Sequence, residues 1–204
     1  MTADDLTELS VDAFLDQVAD RTPTPGGGGV SALVAAAGCA LARMVAAYSG
    51  KGDAASPPTQ FHNVLLRADQ LFRALITRDA AAYAKLRAVA KRGETGGQRD
   101  ERAEQAALLT AIAAPLEVAA VAGQVLAELD QWKTLSNPRL RSDLCVAAIL
   151  LDAAGQGARS LVSLNARDLT DEAQKSKILA DLTTIIERCR THGESLQHFA
   201  NRGI

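Results

Sequence analysis

One acidic residue lies at a position where burial is expected, and burial of an acid is energetically costly. Asp79 lies three residues after Ile76 on a stripe of apolar side chains that has the period of an α-helix. Burying a carboxylate without a partner costs free energy, so acids are rare on such stripes. Asp79 therefore needs a cationic partner, a raised pKa or a ligand, and it is the polar residue hardest to explain as purely structural.

A run of four glycines, Gly26–Gly29, is the second feature that could do chemistry. It follows Pro23 and Pro25 and leads into a helical segment that begins at Val30. Glycine lets a ligand approach the backbone, and a helix amino terminus offers free N–H groups to a carboxylate or phosphate. A glycine run is also a common flexible linker, but the two prolines favour a shaped loop. The run lacks the Lys-Ser/Thr pair of a nucleotide P-loop.

Five further polar residues complete the candidate set: Ser31, Lys51, Asn137, Asp143 and Asn165. Several also have structural explanations. Ser31 falls in a first helical turn, Lys51 in a solvated loop, and Asn137 where a helix cap is expected. Asp143 would interact favourably with the dipole of the helix that it begins. The residues alone leave both interpretations open.

The residue types that bind metals show no pattern. They are His62, His192, His198, Cys39, Cys145 and Cys189. The histidines are expected to be exposed on helices, and the cysteines to be small buried side chains. An odd, unpatterned cysteine count favours a reducing compartment, so we expect a cytoplasmic protein without a metal site.

Composition argues against two classes of partner. The net charge of the 204-residue chain is −2 and there is no basic block, which disfavours nucleic-acid binding. The apolar run Val30–Tyr48 has almost the length of a membrane span, but it is mostly alanine, contains Arg43 and lacks a positive flank. Residues 1–20 are acidic, unlike a signal peptide. We therefore expect neither a membrane nor a nucleic acid as partner.

Helical periodicity covers most of the chain and defines the elements that must position these residues. The predicted helices are Leu9–Asp20, Val30–Ser49, Thr59–Arg92, Arg99–Trp132, Asn137–Asn165, and a last one from Thr170 or Asp171 to the C-terminus. Pro115 should kink or split the fourth. With no alternating strand and no repeat, the prediction is an all-α antiparallel bundle of about six mostly long helices in one domain, residues 1–204.

The segment from Val30 to Ser49 is predicted to lie at the centre of that bundle. It is apolar almost all round, which is typical of a buried helix rather than a surface one. Most of its side chains are alanine, and Gly38 and Cys39 are also small. Small side chains let neighbouring helix backbones approach closely.

Taken in order along the chain, these motifs resemble the cyclodeaminase/methenyltetrahydrofolate cyclohydrolase family, which includes the cyclodeaminase part of formiminotransferase-cyclodeaminase. The resemblance rests on Thr22–Gly29 with the Ala-rich helix through Val45, Asp79 with Tyr83, Ala114–Leu116, Asn137 with Ser142–Asp143, and Asn165. It covers nearly the whole chain. The departures are Ser136, Leu144–Cys145, the short Gly50–Gly52 stretch, and the lack of an Asn near Leu161.

The resemblance implies an all-α homodimer that binds a tetrahydrofolate derivative in a cleft lined by helix ends. The implied chemistry is either hydration and opening of the methenyl ring, or closure of 5-formiminotetrahydrofolate with loss of ammonia. It implies that Asp143 and Asp79 are the catalytic acid/base and charge-stabilising pair. It implies substrate-binding roles for Pro25, Gly26, Gly27, Gly28, Gly29, Ser31, Lys51, Asn137 and Asn165. No metal or redox cofactor is implied.

A second interpretation stays open at this point. The departures from the family pattern favour a non-catalytic helical bundle that kept the fold and binds a folate or a protein partner. A plain structural bundle is a third possibility. The residues do not choose between the cyclohydrolase and cyclodeaminase directions.

Overall fold

A computed structural model of the chain describes residues 5–49, 57–94 and 100–202. Among these residues there are six α-helices and no strand. The helices are α1 (Val11–Ala19), α2 (Gly27–Ala47), α3 (Thr59–Glu94), α4 (Glu101–Trp132), α5 (Arg141–Ala166) and α6 (Glu172–Asn201). Short 3₁₀ helices span Leu6–Glu8, Lys133–Leu135 and Pro138–Leu140. The all-α bundle predicted from the sequence is confirmed.

Polar caps fix several helix starts, as their residue types predict. The side chains of Ser10, Asp100 and Asp171 each accept a hydrogen bond from the backbone N–H three residues further on. Asn137 is also a cap, but of the 3₁₀ turn Pro138–Leu140, where its side chain accepts from the Arg139 N–H at 3.0 Å. The α-helix predicted to begin there begins at Arg141 instead.

The centre of the bundle is α2, which packs against α3, α4 and α5. Four of its side chains have no exposed surface: Ala32, Ala35, Cys39 and Ala42. The α2–α5 contact is close at Gly38, where an added Cβ would lie 3.1 Å from Leu150 Cβ and 3.2 Å from the Ala147 carbonyl oxygen. Small residues thus provide close helix contact, as the composition of this segment predicts.

Two contacts at different points along α2 show that α2 and α5 run antiparallel. A Cβ on Gly27 would lie 3.6 Å from the Leu161 side chain, whereas one on Gly38 would lie 3.1 Å from Leu151. Positions that advance along α2 therefore meet positions that go back along α5. The beginning of α5 lies beside the end of α2, which decides where the candidate site residues fall.

Two expectations about local structure are corrected. Pro115 does not split its helix, because α4 continues as one element from Glu101 to Trp132. The glycine run is not a loop before the helix, since Gly27–Gly29 form the first turn of α2 and Gly26 is its N-cap. Glycine has a poor intrinsic helix propensity, so tertiary packing must determine the conformation of this turn.

A buried ion pair joins α2 to α3. The Asp69 side chain is 5% exposed, and it accepts from Arg43 of α2 and Arg73 of its own helix at 2.5 and 3.1 Å. Both arginines remain partly exposed. Removing one partner of a buried pair leaves an uncompensated charge, so the carboxylate strongly favours this α2–α3 arrangement.

Three segments are long and apolar enough to cross a membrane by length and composition alone: Gly27–Ala47, Glu101–Leu135 and Pro138–Ala166. They contain three helices that pack on one another in the bundle, α2, α4 and α5. Half of the most apolar stretch of Gly27–Ala47 is buried inside the protein. The same apolar composition therefore builds the core.

We expect Gly38→Ala to lower the free energy of unfolding by about 1–3 kcal/mol, because the new methyl overpacks the α2–α5 contact. The matched control is Gly193→Ala on α6, where the added Cβ would lie at an ordinary 3.5 Å from Asp152 Cβ. There the gain in helix propensity should raise stability by up to about 1 kcal/mol. Urea unfolding of both variants checks the pair, and equal effects would contradict the close contact.

Candidate active site

The Asp79 carboxylate lies directly on the first turn of α2. The Gly29 backbone N–H donates a hydrogen bond to it. A Cβ added to Gly28 would overlap the carboxylate carbon and both of its oxygens, so only glycine permits this contact. The amino terminus of a helix favours a negative group through its free N–H groups and its dipole.

The environment of Asp79 favours its protonated form. Burial raises the pKa of Asp79 above its ordinary value, and the Gly29 hydrogen bond opposes that change. Among the described residues no Lys, Arg or His side chain forms an ion pair with it; the neighbouring Arg78 is bound to Glu117 on α4 at 3.2 Å. An acid on an apolar stripe needs a cationic partner, a raised pKa or a ligand, and for Asp79 the pKa is raised. A carboxyl group whose pKa is raised is a stronger base than an ordinary aspartate and so a better acceptor of a proton.

The turn around Asp79 is only partly open to a ligand. Pro25, Gly28 and Gly29 are buried, whereas Gly27 is exposed and Gly26 half-buried. The amides of Gly26 and Gly27 are therefore the ones that a ligand anion can reach. The Gly29 amide, predicted to hold a ligand, binds the protein's own carboxylate instead.

Ser31 lies inside the helix contact. It is 8% exposed, and a Cβ on Gly157 of α5 would lie 2.6 Å from its Oγ. The hydroxyl therefore faces the α5 backbone, which makes packing a sufficient reason for a small residue here.

Asn165 lines a groove at the Asp79 end of the bundle. The groove has a volume of about 830 Å³ and lies between α3, α4 and the end of α5. Its walls carry the side chains of Arg87, Glu101, Glu104 and Asp168. Asn165 is one helical turn beyond Leu161, which packs on Gly27. On α3 the first residue of the groove wall, Leu86, is seven positions after Asp79, or about 10 Å along the helix, so the groove lies beyond the start of α2. Its size is within the range of small-molecule sites.

Asn137 and Asp143 lie at the opposite end of α2. The Asn137 side-chain amide donates a hydrogen bond to the Tyr48 carbonyl oxygen at 3.3 Å, and the Asn137 backbone N–H donates one to Ser49 Oγ at 3.0 Å. Asp143 is partly exposed in the first turn of α5. The next residue, Leu144, lines a small cavity with the last turn of α2. Lys51 lies outside the described residues.

The candidate residues therefore form two half-sites rather than one pocket. One contains Asp79, the glycine turn and Asn165; the other contains Asn137 and Asp143. Val45 on α2 lines the small cavity together with Leu144, the neighbour of Asp143. Val45 lies seventeen positions after Gly28, or roughly 25 Å along the helix at 1.5 Å per residue. The expectation that the two acids point into the same pocket is not met within one chain.

The cysteines and histidines provide no metal centre in the described parts of the chain, where no group of three His, Cys, Asp or Glu residues could hold an ion. Burial raises the pKa values of Cys39 and Cys189 to about 12. These thiols are inert small side chains, as expected. His192 is not simply exposed, because its Nδ1 lies 2.9 Å from Asp130 Oδ2.

Fold and site together describe an all-helical protein with a desolvated carboxyl group at the same end of the bundle as a groove of ligand size. A family model described as formiminotransferase-cyclodeaminase matches residues 10–184. The chain belongs to this family.

Relatives of three kinds agree with that assignment. The rat formimidoyltransferase-cyclodeaminase is 32% identical over 193 residues, which cover 91% of this chain but 36% of the rat protein. The chain thus spans about a third of that relative. The methenyltetrahydrofolate cyclohydrolase of Methylorubrum extorquens is 31% identical over 87% of this chain and 88% of its own length. The crystal structure of formiminotetrahydrofolate cyclodeaminase from Thermotoga maritima superposes with a TM-score of 0.83 at 27% identity, covering 95% of this chain and 96% of that one.

Gly28→Ala should displace the Asp79 carboxylate and leave the bundle folded, because only the end of one side chain has to move. We expect the pKa of Asp79 to fall back towards its ordinary value, as the carboxyl group moves into water. Carbon-13 NMR titration of the aspartate carboxyl groups measures this. Gly27→Ala is the control, since its Cβ would make ordinary contact with Leu161 at 3.6 Å. If both variants keep the raised pKa, the proposed steric fit is wrong.

Proposed function

We propose that the chain is a folate-dependent one-carbon enzyme that acts on a C–N bond of a tetrahydrofolate derivative. The observation that carries the proposal is the Asp79 carboxyl group, desolvated at the start of α2 at the same end of the bundle as a groove that could hold a pterin. Membership of the family, with relatives named as cyclohydrolase and cyclodeaminase, supports the substrate class.

Asp79 suits a reaction that takes up a proton and returns it. In the cyclohydrolase direction, water adds to the methenyl carbon and loses a proton to a carboxylate; the proton then goes to the ring nitrogen as the C–N bond breaks, giving 10-formyltetrahydrofolate. In the cyclodeaminase direction, N10 attacks the formimino carbon and gives its proton to a carboxylate. The former imino nitrogen then takes up that proton, its bond to the carbon breaks, and it leaves as ammonia. A carboxylate whose pKa is raised by burial is a better base than an ordinary aspartate, which suits both directions.

Charge also fits a folate in the groove. The methenyl ring is cationic, and three carboxylates, Glu101, Glu104 and Asp168, line the groove beside one arginine, Arg87. Opposite charge stabilises a cation close to the site of water attack. The exposed amides of Gly26 and Gly27 could accept an anionic part of the ligand.

A homodimer would complete the site. Exposed apolar side chains at the end of α2 and on α5 include Tyr48, Val146 and Ile149, which are 52, 46 and 45% accessible. A two-fold axis perpendicular to these helices would pair opposite ends of the two copies. The Asp79 half-site of one copy would then lie beside Asp143 and Asn137 of the partner subunit.

The same proposal includes the remaining expectations from the sequence. Neither reaction changes an oxidation state, so no redox cofactor is needed, and carboxylates can supply the acid/base chemistry without a metal. We propose a cytoplasmic enzyme without a membrane or nucleic acid as partner. The absence of a membrane partner is supported by the packing of the three apolar helices α2, α4 and α5 on one another.

Asp143→Asn should slow the decay of methenyltetrahydrofolate absorbance roughly 100-fold or more, because a group that stabilises charge at the reacting ring loses its own charge. The bundle should stay folded, since Asp143 is partly exposed. Asp181→Asn, an exposed acid on α6, is the matched control and should turn over at the rate of the original chain. Unchanged turnover in Asp143→Asn would remove this residue from the mechanism.

Asp79→Asn should abolish turnover and yet stabilise the protein at pH 7, because an amide still accepts from the Gly29 N–H without a buried charge. Since folding raises the pKa of Asp79, its contribution to stability is favourable only at low pH and is lost as pH rises through the folded pKa. The stability advantage of the variant should therefore grow from acid to neutral pH. Thermal unfolding at several pH values measures it, and a constant difference would refute the raised pKa.

Calorimetry separates the non-catalytic alternatives. Folate binding without turnover by the unmodified chain would favour a binding protein that kept the family fold. A chain that neither binds folate nor turns it over would be a structural bundle.

A further inference from the structure

Four polar side chains connect the end of α4 to α6. Asp130 Oδ1 accepts from Lys133 Nζ at 2.6 Å and from Ser195 Oγ at 2.7 Å, and its Oδ2 lies 2.9 Å from His192 Nδ1. Lys133 Nζ also donates to Ser195 Oγ at 2.7 Å. All four groups are partly buried, and none belongs to the half-sites described above. We call this set the Asp130 cluster.

Asp130 supplies the negative charge of the cluster, and it is paired with the ammonium group of Lys133. Burial alone would raise the pKa of Asp130, but hydrogen bonds from Lys133, His192 and Ser195 outweigh it, so the pKa lies below its ordinary value. Charge-assisted hydrogen bonds of this kind are stronger than neutral ones. The cluster thus restrains Lys133 firmly at the point where α4 ends.

The chain that leaves Lys133 leads directly to the second half-site. The Lys133 carbonyl accepts from the Ser136 N–H at 3.2 Å and from Ser136 Oγ at 2.6 Å. The next residue, Asn137, makes the two hydrogen bonds to the end of α2. Hydrogen bonds and two short stretches of backbone therefore connect α6, through Lys133, to Asn137.

The end of α6 contacts the start of α5 as well. The Phe199 ring lies 5.0 Å from Arg141 Cζ and 5.9 Å from Lys133 Nζ, both within the range of cation–π contact. Arg141 is the first residue of α5, two positions before Asp143. One helix that contributes no candidate site residue thus fixes both sides of the connection that carries Asn137 and Asp143.

Two further ion pairs on α6 lie at the protein surface and differ from the Asp130 cluster. Arg190 binds Glu187 and Glu194 within its own helix, and all three side chains are more than half exposed. Such pairs contribute little to stability and join no other element. The Asp130 cluster differs because its members come from α4, the following turn and α6.

We propose that Asp130 is a positioning residue, which acts through Lys133 to place Asn137 and Asp143 for the reaction. The inference rests on the proposed function, but its structural half can be tested without turnover. Misplacement of a reacting group by about 1 Å can cost about 100-fold in rate. Asp130→Asn keeps the size of the side chain and removes the charge.

Two measurements on Asp130→Asn test the proposal: amide hydrogen exchange over residues 133–140, and turnover of methenyltetrahydrofolate. We expect faster exchange confined to that segment and kcat lowered about 10–100-fold with a smaller change in KM, because the part of substrate binding that belongs to the Asp79 half-site is intact. Asp130→Glu, which restores the charge, should recover part of kcat. Glu194→Gln is the control and should change neither measurement.

The outcomes are separable. Unchanged exchange in Asp130→Asn overturns the structural connection, and faster exchange with unchanged kcat overturns the positioning role. A drop in kcat that only follows a loss of folded protein, seen as a lowered melting temperature with exchange faster everywhere, also overturns it. If the unmodified chain does not turn over, the proposed function has failed, and the exchange result still decides whether Asp130 holds residues 133–140.

Discussion

The contact between the Asp79 carboxylate and the first turn of α2 is the constraint on which the site depends. It exists because Gly28 has no side chain, so a carboxyl group from α3 can rest on the helix backbone and accept the Gly29 N–H. The glycine run therefore has a role that differs from the one its sequence suggests. Its second half accommodates the protein's own acid, and only the amides of Gly26 and Gly27 stay within reach of a ligand.

The small side chains of α2 have a second consequence, which is the division of the site. Close packing makes α2 the central element of the bundle, with α5 antiparallel beside it. The helix is 21 residues long, so residues at its two ends cannot meet within one chain. In the proposed homodimer, two copies paired in opposite directions would bring unlike ends together.

Much of the fold follows from the sequence, since helix periodicity and cap residues act locally: Ser10 and Asp171 cap helices as their types predict. Asp79 could be recognised because an acid on an apolar stripe is costly wherever its partners are. Its position over Gly28 could not, because that contact joins residues 51 positions apart and depends on how two helices pack. The Asp130–His192 contact was missed for the same reason: nothing local on α6 shows what α4 places opposite it.

Mixing two inactive variants tests the central claim most directly. Asp79→Asn and Asp143→Asn chains, unfolded together and refolded as a random mixture, would form heterodimers in half of the cases, each with one site that has both acids. The account predicts that the mixture regains about a quarter of the activity of the unmodified protein, although each variant alone has about a hundredth of that activity or less. A mixture that stays as inactive as its two components would show that Asp79 and Asp143 do not act together across a dimer interface.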